Sequence, residues 1–297
     1  MNNASEILSD LKADKDFFVG IDSDGCVFDS MEIKHKECFC PEFIKHFELQ
    51  QISKYARETW EFVNLYSKTR GVNRFKAVIR TFELLSERNE VRDRKVNLLN
   101  LSSLINWVEA ESKLGNPALI KYLETIEDSV LEKALMWSMG VNNAVERMVT
   151  DLPPFPLVAD SLLKMSQFSD IIVVSQTPLE ALEREWKQHG IDEKIKLIAG
   201  QEYGTKSEHI KYAAVGKYLP ERILMIGDAP GDLIAAKDNG VLFYPIIPGS
   251  EEKSWQRLYN EALEFFRNEK YKGEYEDQLL AEFENSLPEN PTWGNKV

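Results

Sequence analysis

The run Phe17-Phe18-Val19-Gly20-Ile21 carries no charge, and it stops on Asp22-Ser23-Asp24-Gly25. An uncharged β-forming run of this length reads as a strand buried on both faces, as in a parallel sheet. The two aspartates lie two residues apart, so in extended geometry they point the same way. Gly25 then lets the backbone turn away from them. At ~4 Å and an effective dielectric near 20, two such charges repel by about 4 kcal/mol. A cation or a reaction would explain such a pair. Two other readings stay open at this point. The stretch is compatible with an Asp-Gly turn closing a hairpin. A calcium loop fits less well, because the glycine falls at position four and a strand precedes it.

Beyond this point the chain changes texture twice. From about residue 30 to 150 it shows helical periodicity with few prolines, as in Ile52–Tyr66, Phe75–Leu85, Leu101–Ala110 and Ala118–Met148. The segment Asp151-Leu152-Pro153-Pro154-Phe155-Pro156 ends that block. Strand and helix then alternate: strands over Ile171–Val174, Ile195–Ile198, Ile223–Ile226 and Val241–Tyr244, and helices over Leu157–Met165, Leu179–His189 and Ser207–Tyr218, with a further helix starting at Asp232–Lys237. Alternation with short links predicts a doubly wound, Rossmann-like parallel α/β sheet, with an all-helical cap domain inserted after the acidic turn. The expected division is 1–29 and 151–250 as catalytic core, 30–150 as cap, and 251–297 as a helical tail packed on the core, unstructured from about Leu287. Aromatic faces in that tail pack on the core or on a second subunit, which leaves a homodimer open.

In open parallel sheets ligands bind beyond the carboxyl ends of the strands. Those ends carry, in order, Asp22 and Asp24; Ser175 with Thr177 close by; Gly204-Thr205-Lys206; and Gly227-Asp228-Ala229-Pro230-Gly231-Asp232. Singly, each has a bland reading: helix caps for Ser175 and Thr177, a surface lysine, a first-turn acid at Asp232. Together, at consecutive strand ends, they resemble the signature of the haloacid-dehalogenase-like hydrolase superfamily. That signature is a strand ending in Asp-x-Asp, one ending in Ser or Thr, a lysine, and a strand ending in Gly-Asp-x-x-x-Asp. The match covers about half the chain.

The resemblance implies phosphoryl transfer through an aspartyl-phosphate, with Asp22 as nucleophile and Asp24 as general acid and base. It implies a Mg²⁺ site drawn from Asp22, Asp24, Asp228 and Asp232, in which Asp24 offers its backbone carbonyl and Asp232 orders water or Lys206. Ser175, Thr177 and Lys206 would bind the phosphoryl group; Lys206 is preferred to Lys211 because Gly204 lets its loop approach a ligand. Arg70, Asn73 and Arg74, in a loop between two amphipathic helices, are candidate readers of the rest of the substrate.

The expected activity is Mg²⁺-dependent hydrolysis of a small phosphorylated metabolite. A phosphomutase and a non-catalytic phosphometabolite-binding protein are the alternatives, and a dehalogenase fits less well. A net charge of −13 argues against nucleic acid or anionic membrane as partner. No apolar run approaches the ~20 residues of a membrane span. The first sixteen residues lack a basic-then-apolar pattern, and three cysteines (Cys26, Cys38, Cys40) make no disulfide framework, so a cytoplasmic location is expected. A zinc site from His35, Cys38, Cys40 and His46 is disfavoured, since cysteines two apart on a helix face apart.

Overall fold

The structure, a computed structural model, describes residues 4–294. The described residues divide into two compact units: residues 4–30 with 151–287, and residues 31–150 with 288–294.

The first unit is built on five parallel strands, β1 (Phe17–Ile21), β2 (Ser169–Val174), β3 (Leu197–Ala199), β4 (Ile223–Gly227) and β5 (Leu242–Pro245), in the order β3-β2-β1-β4-β5. Every residue of β1 is buried, as its unbroken apolar run requires. The central strand pairs Phe17 with Ser169 and Ile21 with Val173 on one side, and Phe18 with Ile223 and Ile21 with Ile226 on the other. Its side chains alternate between two cores. Val19, Ile21, Ile171, Val173, Leu224 and Ile226 pack on one face, under Leu162, Trp186, Trp255 and Phe266. Phe18, Ile172, Val174, Met225 and Phe243 pack on the other, under Leu8, Ile210, Leu233 and Phe283. Both faces are therefore covered, and strand order reverses beside β1, which puts Asp22 at the crevice.

The helices Lys206–Ala213 and Pro230–Asp238 start one to two residues earlier than their sequence pattern indicates, because capping residues rather than apolar ones set their ends. Strand β2 starts two residues early, at Ser169-Asp170. Asp170 is tolerated there because it accepts hydrogen bonds from the Asp14 and Lys15 amides (2.8 and 3.0 Å) and the Tyr218 hydroxyl (2.7 Å), and pairs with Lys196 (3.1 Å). Burial works against that charge, and these donors outweigh it, holding the carboxyl below its usual range.

The second unit contains no strand among its described residues. Helices Ser53–Leu65, Arg74–Glu87, Ser102–Ala110, Asn116–Leu123 and Ser129–Met148 enclose an aromatic core. Trp60 and Trp137 meet edge to face at 5.8 Å, and Phe43 and Phe75 join them. The final residues depart from expectation. Pro288–Gly294 is described, ends in a short 3-10 turn over Thr292–Gly294, and belongs to this unit rather than to the sheet unit.

Candidate active site

All the strand-end residues singled out above lie in the first unit. Asp22 follows β1 directly and is 4% exposed; its amide donates to the Ile226 carbonyl across the β1–β4 seam (2.9 Å). Asp228 and Asp232 follow β4 on the same side of the sheet, both buried. One oxygen from each of Asp22, Asp228 and Asp232 lies within 4.8 Å of the others. Lys206 enters from the loop after β3, its Nζ 2.9 Å from Asp22 Oδ2 and 2.6 Å from Asp232 Oδ1.

Local sequence explains how Lys206 gets there. Thr205 caps the helix, its Oγ1 accepting from the Glu208 amide (3.2 Å) while Glu208 Oε2 accepts from the Thr205 amide (2.8 Å). That box fixes Lys206 at the first helical position. Gly204 precedes it at φ +114°, where a side chain would be strained and would meet Glu208 Oε2 at 2.7 Å. Lys211, the other candidate, instead places its Nζ 5.9 Å above the Tyr212 ring.

Asp232 is the organiser of the far side. Its Oδ2 accepts from the Asp228 and Ala229 amides (3.1 and 3.0 Å), and its Oδ1 holds Lys206. This close return of the helix onto the strand end needs Gly227: a Cβ there would sit 2.4 Å from Asp232 Cβ and Cγ. Gly227→Ala is expected to cost at least about 1–3 kcal/mol, the range for overpacking a tight site. A lower denaturation midpoint would register it; an unchanged midpoint would mean that the turn can shift freely.

The electrostatics follow from burial. Desolvation raises the Asp22 carboxyl well above its ordinary value; Lys206 opposes that rise, and Asp232 and Asp228 add to it. For Lys206 burial works against the charge, but Asp22 and Asp232 outweigh it and hold the ammonium firmly protonated. Three carboxylates and one ammonium leave two negative charges in a buried space. An all-oxygen donor set of this kind fits a hard divalent cation such as Mg²⁺.

Asp24 is not part of that cluster. Its Oδ1 accepts from Ser30 Oγ (2.5 Å) and its Oδ2 from Thr177 Oγ1 (2.8 Å). The sequence groups Thr177 with the phosphate-binding residues; in the structure its hydroxyl is given to Asp24. Ser175, 2% exposed, anchors this loop by accepting from the Thr177 amide (3.2 Å). Ser30, at the start of the helix Ser30–Ile33, carries no local sequence signal for this contact.

Arg70, Asn73 and Arg74 bond within their own unit. Arg70 Nη1 donates to the Leu65 carbonyl (3.0 Å). Asn73 caps the helix by accepting from the Phe75 amide (3.0 Å), and its Nδ2 donates to the Leu114 carbonyl (3.2 Å). Arg74 donates to Ser138 Oγ (3.0 Å) and Asn142 Oδ1 (2.7 Å), with its guanidinium 5.0 Å above the Phe39 ring.

His209, one helical turn from Lys206, is fully buried. Burial, with a smaller contribution from the Lys206 charge, pushes its imidazole down to about 4 from an ordinary 6.5. The sign of the consequence is fixed. Between pH 6.5 and about 4 the unfolded chain binds a proton that the folded chain does not. Stability is therefore lost as pH falls through that window, by about 3 kcal/mol at its foot. Denaturant midpoints of wild type and His209→Gln across that window should converge on acidification; parallel curves would contradict this assignment.

No family model matches the chain, and no curated protein matches it. Solved structures that it resembles are haloacid dehalogenase-like hydrolases. One is a haloacid dehalogenase-like family hydrolase from Streptococcus pneumoniae, 13% identical, covering 81% of this chain and 90% of that one, with a TM-score of 0.43. A HAD-superfamily hydrolase of subfamily IA from Geobacter sulfurreducens is 12% identical over 79% of this chain and 90% of that one, with a TM-score of 0.41. A hydrolase from Pseudomonas syringae is 13% identical over 82% and 90%, with a TM-score of 0.45. At such identities and TM-scores the chemistry has to be argued from the side chains.

Proposed function

We propose that this chain is a Mg²⁺-dependent phosphomonoester hydrolase of the haloacid-dehalogenase-like type, acting on a small phosphorylated metabolite through an aspartyl-phosphate. The observation that carries the reading is the convergence of Asp22, Lys206, Asp228 and Asp232, from three separate loops, on one buried point at the sheet's carboxyl edge.

Mg²⁺, held by Asp22 and Asp228 with Asp232 alongside, would neutralise charge on the carboxylates and on the phosphoryl oxygens. Lys206 and Ser175 bind and orient the phosphoryl group. The Asp22 carboxylate attacks phosphorus, and the bond from phosphorus to the leaving alcohol oxygen breaks. Asp24 gives its proton to that oxygen. It then takes one from the water that attacks the acyl phosphate, releasing inorganic phosphate and restoring Asp22. A hydroxyl can donate to a carboxylate or accept from a carboxylic acid, so Ser30 and Thr177 can hold Asp24 in both protonation states.

Asp24→Asn is expected to lower turnover by roughly 10²–10⁴-fold, the range of general acid–base catalysis, with little change in folding. Single-turnover phosphate release measures it, and a rate equal to wild type would remove Asp24 from the mechanism. The reading as a whole is tested with p-nitrophenyl phosphate. Phosphate should be released with Mg²⁺, stop with excess chelator, and resume when Mg²⁺ is restored. Mg²⁺-dependent binding of phosphate esters without release would favour a binding protein instead.

A further inference from the structure

The helical unit holds a guanidinium for which the chain supplies no counter-charge. Among the described residues Arg74 pairs with no carboxylate, although the chain carries 49 acidic residues against 36 basic ones. Other arginines are treated differently. Arg88, 4% exposed, has Glu58 at 2.6 Å, and Arg222 has Glu269 at 2.6 Å. Arg74 is half-buried, and burial alone lowers its guanidinium to about 10 from an ordinary 12.5. A freely solvated arginine would keep its ordinary value. A desolvated charge is unfavourable until something pairs with it.

The guanidinium is also held in one orientation. Its Nη1 is committed, donating to the Ser138 carbonyl (3.3 Å), Ser138 Oγ (3.0 Å) and Asn142 Oδ1 (2.7 Å). Ser138 is fully buried and gives its own hydrogen to Asn116 Oδ1 (2.6 Å), which leaves an oxygen lone pair for Arg74. Phe39 backs the group, with Cζ 5.0 Å from the ring centroid. All of these partners are neutral. What remains is the other edge, Nε and Nη2, which has no partner among the described residues. Two parallel N–H groups on that edge match two oxygens of a carboxylate or a phosphate. Arg74 also opens the 14-residue helix Arg74–Glu87, whose positive end adds to the same field.

We propose that the Nε/Nη2 edge of Arg74 is an oxyanion site of the helical unit, taking a carboxylate or phosphate group of a small ligand side-on. Every contact that builds it lies within that unit, and the inference does not depend on the hydrolase reading. Neutral partners fix the guanidinium without cancelling its charge, which separates a receiving site from a structural ion pair. Chloride, a single-point anion, cannot satisfy both N–H groups in the way that two linked oxygens can.

The test is protection of Arg74 from phenylglyoxal in the full chain, without added Mg²⁺. The reagent needs an accessible, deprotonated guanidine, and the lowered Arg74 meets that need better than an ordinary arginine. Modified peptides are mapped by mass against reaction time, with the exposed Arg57 and Arg184 as internal references. Inorganic phosphate and acetate are added separately, each against chloride at equal ionic strength. For an affinity on the order of 1 mM, about 10 mM of the anion should slow modification of Arg74 roughly tenfold. Arg57 and Arg184 should react at unchanged rates. Protection by one anion alone supports the site and names the group that it takes. Equal Arg74 rates in phosphate, acetate and chloride would overturn the proposal. So would equal slowing of all three arginines, or an Arg74 that never reacts, since its edge would then be closed to any ligand.

Discussion

Asp22→Asn is expected to reduce phosphate release by on the order of 10⁴-fold or more while leaving the protein folded. The amide cannot act as the nucleophile, and two nearby carboxylates are already committed: Asp24 is held by Ser30 and Thr177, and Asp232 by Lys206 and two backbone amides. The fold should tolerate the change because burial already penalises the Asp22 charge. Removing one of three crowded carboxylates relieves repulsion, and Lys206 keeps Asp232. Stability equal to or above wild type with lost turnover is therefore the expected pair of results. Phosphate release by single-turnover kinetics, beside a denaturant titration, measures both. Turnover within tenfold of wild type would mean that the nucleophile lies elsewhere.

Lys206→Met carries the largest expected effect on stability. Its ammonium is the one cation bonded to both Asp22 and Asp232 among the described residues. Breaking a buried pair by removing one partner costs about 3–5 kcal/mol, because the carboxylates stay buried and uncompensated. The pH dependence follows from Asp22. A carboxyl raised above its unfolded value favours the folded state when protonated, and that contribution is lost as pH rises through its folded value. Without Lys206, which opposes the rise, the shift grows. The deficit of Lys206→Met should therefore be largest at neutral and higher pH and shrink on acidification. Mg²⁺ should also reduce it, by binding the folded state only. Denaturant midpoints against pH and Mg²⁺ give the answer; a pH-independent deficit would mean that Lys206 acts through packing alone.

What the sequence made legible has a common cause: it is local. The β1 run and the acids that stop it are contiguous, so their burial and shared direction follow from strand periodicity alone. The turn from Gly227 to Asp232 is equally compact, and its glycine is explained by a contact within five residues. The helical block reads as such because its apolar residues recur at a single period. The illegible parts depend on distant partners. Asp170 looks like a poor strand residue until Asp14, Lys15, Lys196 and Tyr218 are placed around it. Thr177 and Ser30 converge on Asp24 from opposite sides of a long insertion, so spacing could not join them. The tail after Leu287 is polar and carries two prolines, and its partners lie about two hundred residues earlier: the Pro288 carbonyl accepts from the Lys68 amide (3.3 Å), Trp293 meets Phe62 edge to face at 5.2 Å, and the Arg88 guanidinium lies 4.5 Å from its ring centroid.

The central claim is that Asp22 carries the phosphoryl group during turnover. Acid-quenching the enzyme within a turnover of p-nitrophenyl phosphate and Mg²⁺, then mass-mapping its peptides, tests that directly. The peptide containing Asp22 should gain one phosphoryl group, and the gain should vanish in Asp22→Asn and on hydroxylamine treatment. Steady release of phosphate with that peptide unmodified at every quench time, and a phosphoryl group on a different residue or none, would contradict the account.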